Sequence, residues 1–469
     1  MQTAVTNIEF RDKLSIIGEK GKRKWIYPKK PKGNFYKART YVSWLLFAVL
    51  FGLPWIKIEG HPFVLLNIIE RKFIIFGQPF GPQDFYLIVV FAIVSIVFLI
   101  LFTIIYGRFF CGWICPQTIF LEMLFRKIEY LIDGDANQQR ALAKKNWGFN
   151  KTFKRVFKYS IFFAISFIIA NTFLSYVIGT DELIKIVTDN PSNHISGLIA
   201  IIMFSLAFFA VFSFIREQVC ILACPYGRLQ GVLLDPNSIV IAYDYVRGEP
   251  RGHMKRNETR DKGDCIDCHQ CVDVCPTGID IRNGTQLECV NCTACIDACN
   301  SIMNKVGFER DLIRYASANQ LKDKSSFKFT ARMIGYTTVL VLLIGVFTFL
   351  LLNREELDVL ILRTPGMFFQ EQPDNKISNV YDVKIYNKSF NDIPVEFRID
   401  NPDVEMKLLS DNLVIPQQEH KDFKLLLIKN KSDIKSSTEL LEIGVLSNGK
   451  VIDNIETSFM APVSKRKSE

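Results

Sequence analysis

The stretch Cys265-Ile-Asp-Cys-His-Gln-Cys-Val-Asp-Val-Cys-Pro276 is answered 24 residues later by Cys289-Val-Asn-Cys-Thr-Ala-Cys-Ile-Asp-Ala-Cys-Asn300. Both runs read C-x2-C-x2-C-x3-C, and only the first ends in proline. Three thiolates this close together can wrap one corner of an iron-sulfur cube, while a fourth must arrive from elsewhere in the chain. In bacterial chains built on two such runs, the fourth cysteine of each ligates the other cluster. The spacing therefore predicts that Cys265, Cys268, Cys271 and Cys299 hold one 4Fe-4S cluster, and that Cys289, Cys292, Cys295 and Cys275 hold the second. Zinc knuckles are the alternative, but they pair two C-x2-C arms across a longer loop and do not set three cysteines in a row. His269 is expected to be a solvent-facing loop residue, because four thiolates already complete each cluster.

Outward from these runs the chain turns apolar. Of its 469 residues 49% are hydrophobic and 22% charged, which argues against disorder and against an ordinary soluble enzyme. Residues 85–106, 159–179, 195–215 and 333–352 hold 22, 21, 21 and 20 positions without Asp, Glu, Lys or Arg. A charge at the centre of an inserted helix costs roughly 2.5–3.5 kcal/mol, so these runs read as membrane spans. Residues 40–56, 17 positions with a late Pro54, form a shorter fifth candidate. The polar and basic residues 1–39 precede it, so no cleaved signal peptide is expected.

Orientation follows from Lys and Arg, which stay in excess on the cytoplasmic side. Segments 1–39, 107–158 and 216–332 carry 11, 10 and 16 of them, whereas 57–84 and 180–194 carry 3 and 1. The first three segments are therefore expected inside the cell and the tail after Leu352 outside. This inner-face excess accounts for the net charge of +9, and no nucleic-acid partner is needed.

All twelve cysteines fall in segments assigned to the cytoplasm, where metal or redox roles outweigh structural disulfides. Four of them form a second repeat, Cys111-x3-Cys115-Pro116 and Cys220-x3-Cys224-Pro225, offset by 109 residues. Each follows a span directly, so the membrane part reads as a duplicated two-helix unit. If each span continued as helix through its motif, sulfurs at i and i+4 would share a face with Cβ atoms about 5–6 Å apart. A disulfide prefers about 3.8 Å, so a metal held between the two pairs is the easier construction. Soft thiolates select Cu(I), zinc or iron-sulfur iron, and copper stands highest in the divalent affinity series. A structural zinc, or cysteines merely packed at helix ends, is the plain alternative. Pro116 and Pro225 should stop one helix and start the next. The following residues 117–133 fit a helix lying in the membrane interface or a simple amphipathic connector.

No histidine falls within the five runs, which argues against a bis-histidine membrane haem, and no G-x-G-x-x-G or Walker A stretch occurs. The electron donor is therefore expected outside this chain. In the tail, residues 380–386, 395–399 and 423–428 have the partly alternating look of strands, and Asn448-Gly449 marks a hairpin between 444–447 and 450–452. Several strands in 353–469 fit a β-sandwich acting as a docking or spacing module.

Three motifs carry a family resemblance: Gly107-Arg-Phe-Phe-Cys-Gly-Trp-Ile-Cys-Pro-Gln117, Tyr243-Asp-Tyr-Val-Arg-Gly-Glu-Pro-Arg251 and Cys275-Pro-Thr-Gly-Ile-Asp-Ile-Arg282. With them the chain resembles, over nearly its whole length, the CcoG/FixG/RdxA family of cytochrome oxidase accessory proteins. The resemblance implies an immunoglobulin-like sandwich after the last span and a role in assembling the cbb-type oxidase. It further implies a cupric reductase supplying Cu(I), with Cys111, Cys115, Cys220 and Cys224 handling copper. Asn300 departs from the proline of clostridial-type ferredoxins, which touches the local turn and not the ligands.

The expected architecture is a multi-pass protein of the bacterial inner membrane. Its segments are a basic cytoplasmic N-terminus (1–39), a four-span domain with both C-x3-C-P motifs (40–235), a cytoplasmic dicluster ferredoxin insert of α+β type (236–332), a fifth span (333–352) and a periplasmic all-β sandwich (353–469). A cytoplasmic reductant would charge the clusters one electron at a time and copper at the inner face would be reduced. Expected partners are the membrane, that donor, and oxidase assembly factors or a copper transporter. Two rivals stand beside this reading. One is a NapH-like membrane ferredoxin passing electrons between the quinol pool and a reductase; the other is a non-catalytic assembly scaffold.

Overall fold

The computed structural model describes residues 22–68, 72–254, 261–323, 330–409, 413–434, 436–447 and 449–462. Among the described residues five helices are long and apolar enough to cross a membrane: Asn34–Trp55, Phe85–Tyr106, Phe149–Ile178, Ile195–Ile215 and Ala331–Leu352. Three of them begin earlier than their apolar runs. Helix Phe149–Ile178 opens with Lys151, Lys154, Arg155 and Lys158, and backbone hydrogen bonding continues through charged residues wherever those side chains find partners.

The chain divides into two compact units, Met1–Ile56 with Phe91–Ile344, and Lys57–Val90 with Gly345–Glu469. In the first, Phe47, Phe120, Phe125, Phe162 and Phe212 form the core between helices, with the Phe125 and Phe212 rings stacked at 4.6 Å. The segment after Pro116 supplies much of this core. Ile119, Phe120, Leu121, Met123 and Phe125 are all at most 3% exposed, so this part of the segment is packed into the core of the first unit. Burying such apolar side chains stabilises by about 1.5–3 kcal/mol each.

The cysteine-rich insert is α+β. Strands Val240–Tyr243 and Ile313–Ala316 pair antiparallel, one before the first cysteine run and one after the second. Helices Gln270–Asp273 and Ala294–Val306 each start just past a middle cysteine. The residues flanking those cysteines are left-handed in both runs, Asp267 and His269 at φ 54° and 56°, Asn291 and Thr293 at 52° and 66°. Asp, His and Asn tolerate this region better than most residues, and the resulting coil suits close wrapping of a compact group.

In the second unit, strands 404–408, 420–430, 376–387 and 357–363 form one sheet in that order, with 370–372 added on 376–387. Strands 396–399, 438–447 and 450–460 form the other. Alternate residues point inward, so Leu357, Val383, Leu425, Leu427, Ile443 and Val445 share a core that is almost fully closed to solvent. Strands Thr438–Ser447 and Lys450–Met460 pair as the expected hairpin; Asn448 lies outside the described residues, and Gly449 takes φ 79°. Residues 57–84 also belong here. They carry the small sheet of Val64–Asn67, Lys72–Ile75 and Gln78–Phe80, and a fully buried Asp84 paired to Arg354 at 2.9 Å and Lys388 at 3.0 Å.

Candidate electron-transfer site

Two cavities lie inside the cysteine-rich insert. One is lined by Cys265, Cys268, Cys271 and Cys299 with Tyr243, His269 and Arg282. The other is lined by Cys289, Cys292 and Cys295, with Cys271 and Cys275 reaching it from the first run. Among the described residues no three His, Cys, Asp or Glu side chains converge on a single-ion position. A cube takes one cysteine at each of its four irons, and each cavity is lined by at least four.

The chemistry of the donor set fits a cationic inorganic group. Burial pushes the thiols of Cys271, Cys289 and Cys299 up to about 12 and that of Cys292 to about 11, and holds that of Cys295 well above the ordinary thiol value. Buried this way, the sulfurs stay protonated at neutral pH unless a metal replaces the proton. The buried Asn291 Nδ2 has no partner among the described residues, leaving a donor beside Cys289 and Cys292. His269 is more than half exposed and sits 3.0 Å from Arg282 Nη2, on the surface of its loop.

The C-x3-C-P motifs depart from continuous helix. After helix Phe109–Trp113 the chain breaks at Ile114, and Cys115 is extended at ψ 121° as the N-cap of the helix that Pro116 starts. Cys224, at ψ 112°, caps the helix of Pro225 in the same way, after a π-helical turn over Val219–Ala223. The reason is local: proline disfavours helical geometry in the residue before it, and each second cysteine is that residue. The thiols still gather. Burial raises Cys111 to about 11 and Cys220 to about 12, and both feel the charges that Cys115 and Cys224 would carry. Among the described residues no three metal-ligating side chains are grouped on one point here. Gln230, itself fully buried, lays its amide 3.4 Å from Cys111 Sγ, and Thr118 Oγ1 stands 3.9 Å from Cys220 Sγ.

The two cysteine systems touch. A Cβ on Gly112 would lie 2.5 Å from the Val290 carbonyl oxygen and 2.7 Å from that of Asn291, so only glycine lets the first C-x3-C-P backbone seat on the loop between Cys289 and Cys292. Arg39 Nε donates to the Gly112 carbonyl at 2.6 Å, and Arg108 donates to the carbonyls of Leu287 and Gly227. Trp113 Nε1 donates to the Tyr315 hydroxyl at 3.2 Å, which is itself 3.4 Å from the Asn291 carbonyl oxygen. Arg39, Gln230 and Tyr315 are absent from the sequence reading, and Gly112 stands in it only as part of the Gly107–Gln117 motif. Only the glycines inside the Gly107–Gln117 motif offered a hint, because the others act across long separations.

Family models match three parts of the chain. A 4Fe-4S dicluster domain matches residues 215–318, a 4Fe-4S binding domain matches 88–149, and the IG-like fold at the C-terminal of FixG matches 347–462. Protein RdxB of Cereibacter sphaeroides is 33% identical over 389 residues, which cover 78% of this chain and 80% of that protein. Protein RdxA of the same organism is 36% identical over 390 residues, covering 80% and 82%. Nitrogen fixation protein FixG of Rhizobium meliloti is 32% identical over 408 residues, covering 78% and 77%. With relatives this similar along most of both chains, five membrane-crossing helices and 4Fe-4S domains, the chain belongs to the RdxA/RdxB/FixG family of membrane iron-sulfur proteins.

Proposed function

We propose that the chain moves single electrons from a cytoplasmic donor to copper at the inner face of the bacterial inner membrane, reducing Cu(II) to Cu(I) for a cbb-type cytochrome oxidase. Cys265, Cys268, Cys271 and Cys299 are the ligands in one cavity, and Cys289, Cys292, Cys295 and Cys275 those in the other. The 4Fe-4S clusters held there supply one-electron redox chemistry.

The observation that carries this reading is the contact of Gly112 with Val290 and Asn291, which brings Cys111 and its neighbours against the loop of the second cavity. Copper is substrate at these thiols. Cys111, Cys115, Cys220 and Cys224 take it a pair at a time, each thiol releasing its proton as sulfur binds. Soft thiolate prefers Cu(I), so the same sulfurs hold the product more tightly than the reactant and raise the potential of the copper couple. Copper gains one electron and the external donor loses it. Gln230 fixes the direction of Cys111 through its amide. The Lys and Arg excess of residues 1–39, 107–158 and 216–332 supports a cytoplasmic insert and an outer β-sandwich, which would dock an oxidase assembly factor or a copper transporter.

The test is the double substitution Cys111→Ser with Cys220→Ser in membranes or detergent. Copper reduction should vanish while the iron-sulfur absorbance remains; undiminished reduction refutes the copper role. Deleting residues 360–469 separates the scaffold reading, since an intrinsic reductase continues to turn over without the sandwich.

A further inference from the structure

Four guanidinium groups stand close to the cysteine cavities, and they are not neutralised alike. Beside the Cys265 cavity, Arg282 is paired to Asp280 at 2.6 Å and to Asp267 at 2.5 Å, and Arg247 to Asp264 at 2.7 Å. That surrounding carries at least as much negative charge as positive. Beside the Cys289 cavity stand Arg39 and Arg108, 3% and 6% exposed. Arg39 acts on Cys292, and Arg108 on both Cys289 and Cys111. Among the described residues neither has a carboxylate within 4.0 Å. Their hydrogen bonds go to the carbonyls of Gly112, Leu287 and Gly227, which are neutral. Arg39 Nη2 and Arg108 Nε are buried with no partner among the described residues. Glu288 is the carboxylate that acts on Arg108, from beyond ion-pair distance, and Glu122, which acts on Cys292, is already paired to Arg126 at 2.8 Å.

From this asymmetry we infer that Arg39 and Arg108 are positioning residues that set the direction of electron flow, making the Cys289 cavity the stronger electron acceptor of the two. The inference rests on the cluster-ligand reading above and goes beyond it. An added electron makes a thiolate-ligated site more negative, and burial alone opposes that. Two unneutralised cations in a medium of low effective dielectric reverse the bias. Cys268 is the exposed cysteine of the first cavity, which suits entry of the electron there. Arg108 spans Cys289 and Cys111, so its charge attracts the electron toward the side where the first C-x3-C-P lies.

The test is an anaerobic, EPR-monitored redox titration of the full-length protein, with iron content measured on each sample. Wild type should show two separate one-electron waves. Arg39→Gln and Arg108→Gln should each lower the upper wave, so that the ratio of reduced to oxidised centre at a fixed potential falls at least tenfold, a shift of about 59 mV, while the lower wave stays. Arg39→Lys and Arg108→Lys should stay near wild type, and Glu288→Gln should move the upper wave the other way. Coincident waves in wild type, or an unmoved upper wave in iron-replete Gln variants, would overturn the inference. So would a shift of the lower wave instead, or loss of iron from both Gln and Lys variants, which would make these side chains structural. Iron-free wild-type protein removes the cluster reading itself, whereas failure of copper reduction with the expected waves leaves this inference standing.

Discussion

Arg216 sets both its terminal nitrogens on the two carboxylate oxygens of Glu129, each at 2.8 Å, from a backbone turned to φ 56°. Both side chains are almost completely buried. Lys158 joins Glu129 at 3.5 Å and Asp133 at 2.7 Å, while Arg126 joins Glu217 at 3.3 Å and donates to the Pro276 carbonyl at 3.2 Å. The network thereby ties the membrane helices to the loop after Cys275. A positive φ at a non-glycine residue costs of order 1–3 kcal/mol and persists only where its surroundings hold it. Here the fork to Glu129 supplies that hold.

Replacing Glu129 with Gln should therefore destabilise the first unit by about 3–5 kcal/mol, because it leaves Arg216 buried beside a neutral partner. The pH dependence has a definite sign. Burial pushes the Glu129 carboxyl up, but Arg216, Lys158 and Arg126 together hold it below its ordinary 4.5. Its contribution is thus complete above about pH 4.5 and is lost as pH falls through the lower folded value. Thermal unfolding in detergent from pH 7 down to pH 3 should show wild type losing stability on acidification and the Gln variant losing less.

Gly112→Ala places a methyl group where two carbonyl oxygens already stand. Overpacking of this kind costs about 1–3 kcal/mol and forces the two loops apart. Copper reduction should fall at least tenfold, with the iron-sulfur spectrum largely kept. A full-rate Ala variant would show that the contact is dispensable for transfer.

Cys295→Ala removes one sulfur of the second cavity, which its neighbours cannot replace. Iron should fall from about eight to about four per chain, since each cluster carries four. The remaining EPR signal should be that of the lower-potential centre.

In the second unit, Asp84→Asn leaves Arg354 and Lys388 without their shared carboxylate. A loss of about 3–5 kcal/mol is expected, read as faster proteolysis within residues 57–84 and the sandwich while iron content is unchanged.

Much of the fold was legible because its signals are local. The cysteine spacing, the charge-free runs and the alternation around Val383 and Leu425 each depend on residues a few positions apart. Where alternatives stayed open, a neighbour distant in sequence or a backbone detail decided. Sulfurs at i and i+4 would share a face only if helix ran on through Cys115 and Cys224, and the following prolines turn both cysteines extended. Residues 117–133 left an interfacial helix and an amphipathic connector open, because the burial of Phe120 and Phe125 against Phe162 and Phe212 is set by helices that follow later.

The sequence by itself determined which groups are available: twelve thiols in two spacings, five apolar runs and a strand-rich tail. Only the tertiary structure decided that Gly112 meets Asn291, that Arg39 and Arg108 lie beside Cys292 and Cys289 without carboxylates, and that Asp84 closes on Arg354. The physical reason is that hydropathy and ligand spacing are properties of a short stretch. Burial and charge pairing, in contrast, are properties of whichever distant segments the fold brings into contact.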